Sequence, residues 1–137
     1  MQPSSSSSYP FGIALLRISL GLMWVAHAML KLTVFTLPGT AQYFTSVGLP
    51  GFLAYPVFAV ETLGGLALLA GVYARQVALL LVPVMAVAAW VHWPHGWVHT
   101  SPGGGWEYPV FLVVASVALW LLDDGAATFK RSTRWVL

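Results

Sequence analysis

The stretch Phe11–Phe35, FGIALLRISLGLMWVAHAMLKLTVF, decides how the rest of the chain is read. At about 1.5 Å per residue a helix of this length crosses a bilayer core, which needs about 20 apolar residues. A plain anchor has no use for Arg17, His27 and Lys31. With a turn of about 100° per residue, His27 and Lys31 lie one turn apart, and Arg17 and Trp24 fall within about a quarter turn of Lys31. One face is therefore polar and the rest suits lipid. Placing Lys or Arg inside a membrane costs at least ~2.5 kcal/mol on insertion scales, so such a stripe should face the interior of a bundle that supplies partners.

Composition agrees. Of 137 residues, 58% are hydrophobic and 7% charged, and the mean hydropathy of +0.79 is far above that of a soluble domain of this size. A signal peptide ending at Ala26-His27-Ala28 is rejected, because no basic start precedes the apolar run and the run continues past it. The chain has no cysteine, which removes disulfides, thiolate metal sites and dithiol chemistry. Its net charge of +2 argues orientation in a membrane, not nucleic-acid binding.

Four apolar stretches follow one another. Residues 1–10, with Ser4 to Ser8 in a row between Pro3 and Pro10, read as a disordered tail. Spans are expected at about 11–36, 52–72, 76–93 and 107–122, with a short interfacial helix over Thr40 to Val47 and turns at Pro38-Gly39 and Gly48-Leu49-Pro50-Gly51. Gly64-Gly65, beside Glu61, permits close helix contact. Residues 126–137 form a basic tail. Arg75, Lys130, Arg131 and Arg134 then share one side, which the positive-inside rule makes cytoplasmic, with both termini on it. Trp90, Trp93, Trp97 and Trp106 mark the opposite interface. The expected fold is an all-α, integral membrane four-helix bundle over residues 11–125, a multi-pass protein of the cell membrane.

Counting down the spans puts His27 and Glu61 at similar depth, with Lys31, His92 and Glu107 nearer the outer surface. Every span contributes to this cluster. His27, Lys31 and Glu61 are the candidates for proton exchange and charge balance, and with His92 and Glu107 they form a candidate pocket for a quinone headgroup. Ring carbonyls need hydrogen-bond donors, quinone reduction needs protons, and an isoprenoid tail needs lipid. Lys31 with Glu61 or Glu107, as a buried ion pair that only fixes helix register, is the structural alternative. Arg17 reads as an anchor snorkelling to headgroups. His92, His95 and His99 with Glu107 are a weak metal pattern, since Pro94 interrupts them and the loop is Gly-rich, and no metal site is assigned. Haem held by His27 and His92 is open in principle, though their depths argue against it.

The order of these residues resembles the DoxX family of small four-span membrane proteins, which includes the DoxD subunits of thiosulfate:quinone oxidoreductase. The likeness runs from about Leu15 to Gly125. It rests on Arg17, Gly21, His27 and Lys31 in the first span, Glu61-Thr62-Leu63-Gly64-Gly65 with Gly71 and Arg75 in the second, His92 in the third, and Glu107-Tyr108-Pro109 opening the fourth. Ala28 replaces the Gly that often follows the His, and Asp123-Asp124-Gly125 replaces the usual small-residue ending. The resemblance implies a membrane protein of redox metabolism, with quinone or a protein redox partner as its ligand. With no electron carrier of its own, the chain is expected to act as a subunit of a quinone-linked system. The alternatives are an accessory or assembly subunit of a larger membrane complex, and a small-solute or proton pathway.

Overall fold

The computed structural model describes residues 7–133. Five helices run in order: α1 Tyr9–Thr33, α2 Leu37–Ser46, α3 Ala54–Ala70, α4 Ala74–His92 and α5 Glu107–Leu121. Short 3-10 turns, Gly51–Leu53 and Trp93–His95, lead into α3 and out of α4. The described residues contain no strand, only one isolated bridge between Val72 and Lys130. Residues 1–6 of the Ser-rich segment, and Arg134 with the last three residues of the basic one, lie outside the described residues.

Three helices are long and apolar enough to cross a membrane: α1, α3 with its leading turn, and α4 with its trailing turn. The fourth apolar helix, α5, has 15 residues. At 1.5 Å per residue it reaches ~22 Å, less than the ~30 Å of a hydrocarbon core. Leu15, Leu63, Leu80 and Phe111, one on each of these helices, are 65% to 71% exposed. Four helices each turning a large apolar side chain outward need an apolar surrounding.

Helix boundaries follow local chemistry. α1 stops at Thr33, earlier than the apolar run suggests, because Thr36 leaves helical space at φ 62° and caps α2, its Oγ1 accepting from the Gly39 N–H at 3.1 Å. Pro38 falls in the first turn of α2, where a missing N–H costs nothing. α3 ends on Gly71 at φ 68°, a left-handed conformation that glycine adopts without penalty. The chain turns so tightly there that α4 begins at Ala74 and takes in Arg75, two residues ahead of the start expected from sequence.

α1 packs chiefly on α3, and α4 chiefly on α5; contact between α3 and α4 joins the two pairs. Glycine sets the first of these. A Cβ on Gly21 would meet the Gly65 carbonyl at 2.9 Å, and one on Gly65 would meet Val25 Cγ2 at 2.8 Å, so the two backbones touch. The adjacent Gly64 turns to the other neighbour, where a Cβ would press on Leu81 of α4 at 3.0 Å. The Gly64-Gly65 pair therefore serves two interfaces. Between the helices, Trp24 and Leu20 of α1 meet Leu68 of α3, Leu81 of α4 and Leu119 of α5 in one core.

Residues 123–133, read from sequence as a stop and a tail, fold back as a strap across the helix ends. Ala126 N–H donates to the Pro10 carbonyl at 2.9 Å, Phe129 N–H to Ala70 at 3.1 Å, and Lys130 N–H to Gly71 at 3.0 Å. Tyr73 N–H donates in return to the Lys130 carbonyl at 2.9 Å. The strap thus satisfies backbone groups left over at the start of α1 and around the turn from α3 to α4.

Candidate functional site

The close α1–α3 contact carries Lys31 to Glu61. Gly21 and Trp24 on α1, and Gly65 on α3, place both residues on facing stripes, one to three turns further along. Lys31 Nζ donates to Glu61 Oε2 at 2.8 Å and Oε1 at 3.1 Å. The carboxylate is the more deeply enclosed partner, with 5% of its side chain exposed against 18% for Lys31. A charge pair so enclosed holds only because each ion neutralises the other in place.

The other expected members of the cluster are placed differently. His27 Nδ1 donates to the Met23 carbonyl at 2.9 Å, which fixes the ring and leaves Nε2 as its acceptor in the neutral form. Its imidazole stacks beside the Tyr108 ring of α5, with centroids 6.1 Å apart and planes 25° apart. One turn before it on α1, Trp24 is buried, and its indole N–H has no partner among the described residues. His92 repeats the His27 arrangement: Nδ1 donates to the Ala88 carbonyl at 2.7 Å, and the ring lies edge-on to His95 at 6.1 Å. Glu107 engages neither lysine nor His27. Its Oε1 accepts from His99 twice, from the backbone N–H at 3.0 Å and from Nδ1 at 2.6 Å. The five predicted residues thus fall into a paired core of Lys31 and Glu61, a flanking His27, and two groups tied into the loop that joins α4 to α5. Among the described residues no three His, Asp or Glu side chains gather as metal ligands.

Sequence reasoning missed two features. The first is a shallow groove of about 590 Å³ lined by Trp97, His99, Glu107, Tyr108 and Phe111. Its only signal in the sequence is the density of aromatic residues around Glu107. The second is Arg17, which is fully buried and not a snorkelling anchor. Its Nη2 donates to the carbonyls of Ala126 and Ala127 at 3.0 and 3.1 Å, because the strap closes over it. Nε and Nη1 have no partner among the described residues. A Cβ on Gly71 would fall 1.7 Å from Nη1, so the guanidinium occupies the space that glycine leaves. Beside it, Asp124 is buried and accepts from the Ser132 hydroxyl at 2.5 Å and the Ser132 N–H at 2.8 Å. Ser132 Oγ accepts in turn from the Arg75 N–H at 3.1 Å, and Arg75 Nε donates to the Trp120 carbonyl at 2.7 Å. The signal for this second network was Asp123-Asp124-Gly125 together with Gly71, four residues that read singly as helix stops.

Comparison with known proteins adds a family. The family model described as DoxX matches residues 12–93, which span α1 to the end of α4 and contain Arg17, His27, Lys31, Glu61 and His92. A protein of Bacillus subtilis (strain 168) named "Putative oxidoreductase CatD" is 36% identical over 75 residues, 55% of this chain and 54% of the relative. The chain thus spans about half the length of the curated relative it matches. No solved structure matches it. Glu107, the His99 loop and the strap lie beyond the matched residues. With the family match covering more than half its length and three membrane-length apolar helices, the chain belongs to the DoxX family of membrane proteins.

Proposed function

We propose that the chain is a quinone-interacting subunit of a membrane redox system, built as four spans in the cell membrane with both termini on the cytoplasmic side. The observation that carries this reading is the Lys31–Glu61 pair, a charge pair enclosed in an otherwise apolar helix contact. Such a pair in a membrane is a functional site by default, since burial is costly and an apolar contact packs as well. The donor set fits a ring carbonyl: Lys31 retains part of its exposure, His27 is held in a fixed tautomer, and Trp24 supplies a buried N–H without a partner among the described residues. A bound quinone would supply two-electron redox chemistry. Lys31 would polarise a ring oxygen, His27 Nε2 would exchange a proton with the other, and Glu61 would balance the charge. The relative's printed name supports an oxidoreductase role for that relative, and this chain is read the same way. As the chain brings no electron carrier, the reading requires a protein redox partner.

The test is to purify the protein gently, extract its lipids for mass analysis and record its absorption spectrum. Wild-type protein is expected to retain quinone, and the charge-balanced pair Lys31→Met with Glu61→Gln to lose it, as is His27→Gln. Quinone retained by all variants overturns the assignment, and a haem band replaces it with the His27 and His92 pair as axial ligands.

A second reading has its own observation. Lys31 takes up both Glu61 oxygens, so the pair is self-satisfied and also serves as a clasp between α1 and α3. An accessory subunit of a larger membrane complex would need no more than that. Co-purification of larger partners without quinone, unaffected by the paired substitution, supports it.

A further inference from the structure

The groove at the α4–α5 loop lies outside residues 12–93, the part of the chain that the family model matches, and its chemistry is of one kind. Trp97, Tyr108 and Phe111 give it flat apolar walls, and His99 with Glu107 gives it one polar edge. The walls are braced before any ligand arrives. Trp106 stacks on Trp93 with centroids 4.5 Å apart and meets Trp97 edge-on at 4.6 Å. The loop is closed by Trp106 N–H to the Gly96 carbonyl and Glu107 N–H to the Trp97 carbonyl, each at 3.1 Å.

The polar edge selects among occupants. An exposed carboxylate beside aromatic rings would ordinarily suit a cation. Here Glu107 Oε1 already accepts both the backbone N–H and the Nδ1–H of His99. Oε1 is engaged on His99, and it fixes the proton on Nδ1. The nitrogen left to a ligand is His99 Nε2, an acceptor in the neutral ring. An acceptor beside flat apolar walls is complementary to a hydroxyl on a planar ring, a donor that an acyl chain lacks.

We propose that this groove is a docking site for the ring of a hydroquinone or related phenol, whose hydroxyl donates to His99 Nε2 while Glu107 holds the imidazole in register. The site rests on the quinone reading and extends it. Tyr108 forms a wall of the groove and also stacks beside His27, so an occupant lies one ring away from the residue that flanks Lys31 and Glu61. His99 is the binding residue; Glu107 is a positioning residue.

The experiment measures equilibrium binding of trimethylhydroquinone, kept reduced without oxygen, and of its dimethyl ether, to full-length protein in nanodiscs. The ether keeps the ring and removes the hydroxyl donors. Wild-type protein is expected to prefer the diol roughly tenfold, about the worth of one good hydrogen bond. His99→Phe, which keeps a flat ring, should abolish that preference while leaving ether binding unchanged. Glu107→Ala should reduce it, and Glu107→Gln, which still accepts from Nδ1, should restore most of it. The charge-balanced Lys31→Met with Glu61→Gln should leave the diol preference intact. Equal binding of diol and ether by wild type overturns the site, as does a preference that survives His99→Phe. A preference lost only with the Lys31 and Glu61 pair also overturns it but keeps the inner site, whereas quinone absent from purified protein with the preference intact removes the inner site alone. Tryptophan fluorescence, to which Trp93, Trp97 and Trp106 of the loop contribute, and thermal unfolding of each variant check that the loop is folded.

Discussion

The two ends of the helix assembly hold buried charge in different ways. At one end Lys31 and Glu61, thirty positions apart on two packed helices, satisfy each other directly through both carboxylate oxygens. At the other, Arg17 reaches two backbone carbonyls of a strap more than a hundred positions away, and the nearby Asp124 is occupied by Ser132. The first end is a closed pair of opposite charges. The second is a capped cation with two of its nitrogens unpartnered among the described residues. Direct pairing makes loss of one member severe, because the other is left charged in an enclosed site; capping by neutral carbonyls makes the same loss milder.

The contrast is broken most directly by Lys31→Met. It strands Glu61 and should lower stability by about 3 kcal/mol, the scale for removing one half of a buried pair. Adding Glu61→Met should recover most of that loss, measured by unfolding in mixed micelles. If the double variant is as unstable as the single, the pair is not the closed unit described. Arg17→Met should cost less, about 2 kcal/mol, since it frees carbonyls and relieves a desolvated cation at the same time. Its effect should be local, with hydrogen exchange rising in residues 126–130 and leaving α3 around Glu61 protected.

Ser132→Ala removes one donor to Asp124 and the acceptor for the Arg75 N–H, and should cost about 1 kcal/mol. A loss as large as that of Arg17→Met would mean that Asp124, not Arg17, holds the strap. The smallest effect concerns Lys130, whose ammonium lies over the Tyr73 ring at 5.1 Å. Tyr73, chiefly by hydrogen bonding and then by charge, raises the lysine above its ordinary pKa. A raised folded pKa means that this stabilisation is complete below the ordinary lysine value and fades as pH rises through the folded one. The Lys130 contribution to strap protection should therefore be flat up to neutral pH and decline only in the alkaline range, and Lys130→Met should remove that decline.

Legibility in the sequence followed the same division. The first-span face of Trp24, His27 and Lys31 was readable because helix periodicity is fixed by backbone geometry. Gly64-Gly65 was readable as a contact, though not that its two members serve different neighbours. Glu107 was assigned to the same layer as Lys31 from its position alone. Its true partner, His99, lies in a loop whose path is set by tryptophan stacking and not by a period. Arg17 was misread for a related reason: its position near a helix end suits snorkelling, and nothing in its own helix indicates that distant backbone returns to cover it.

By itself, then, the sequence determined the apolar helices, the face of α1 that turns inward and the presence of Lys31 and Glu61 within apolar spans, because these depend on hydropathy and on a repeating local geometry; that Lys31 takes Glu61 and not Glu107 came from the packing. Tertiary structure alone decided the strap over Arg17, the pairing of His99 with Glu107 and the aromatic groove. Those depend on where irregular backbone returns to meet the helices, and a carbonyl or a loop imidazole carries no periodic mark of the partner it will find.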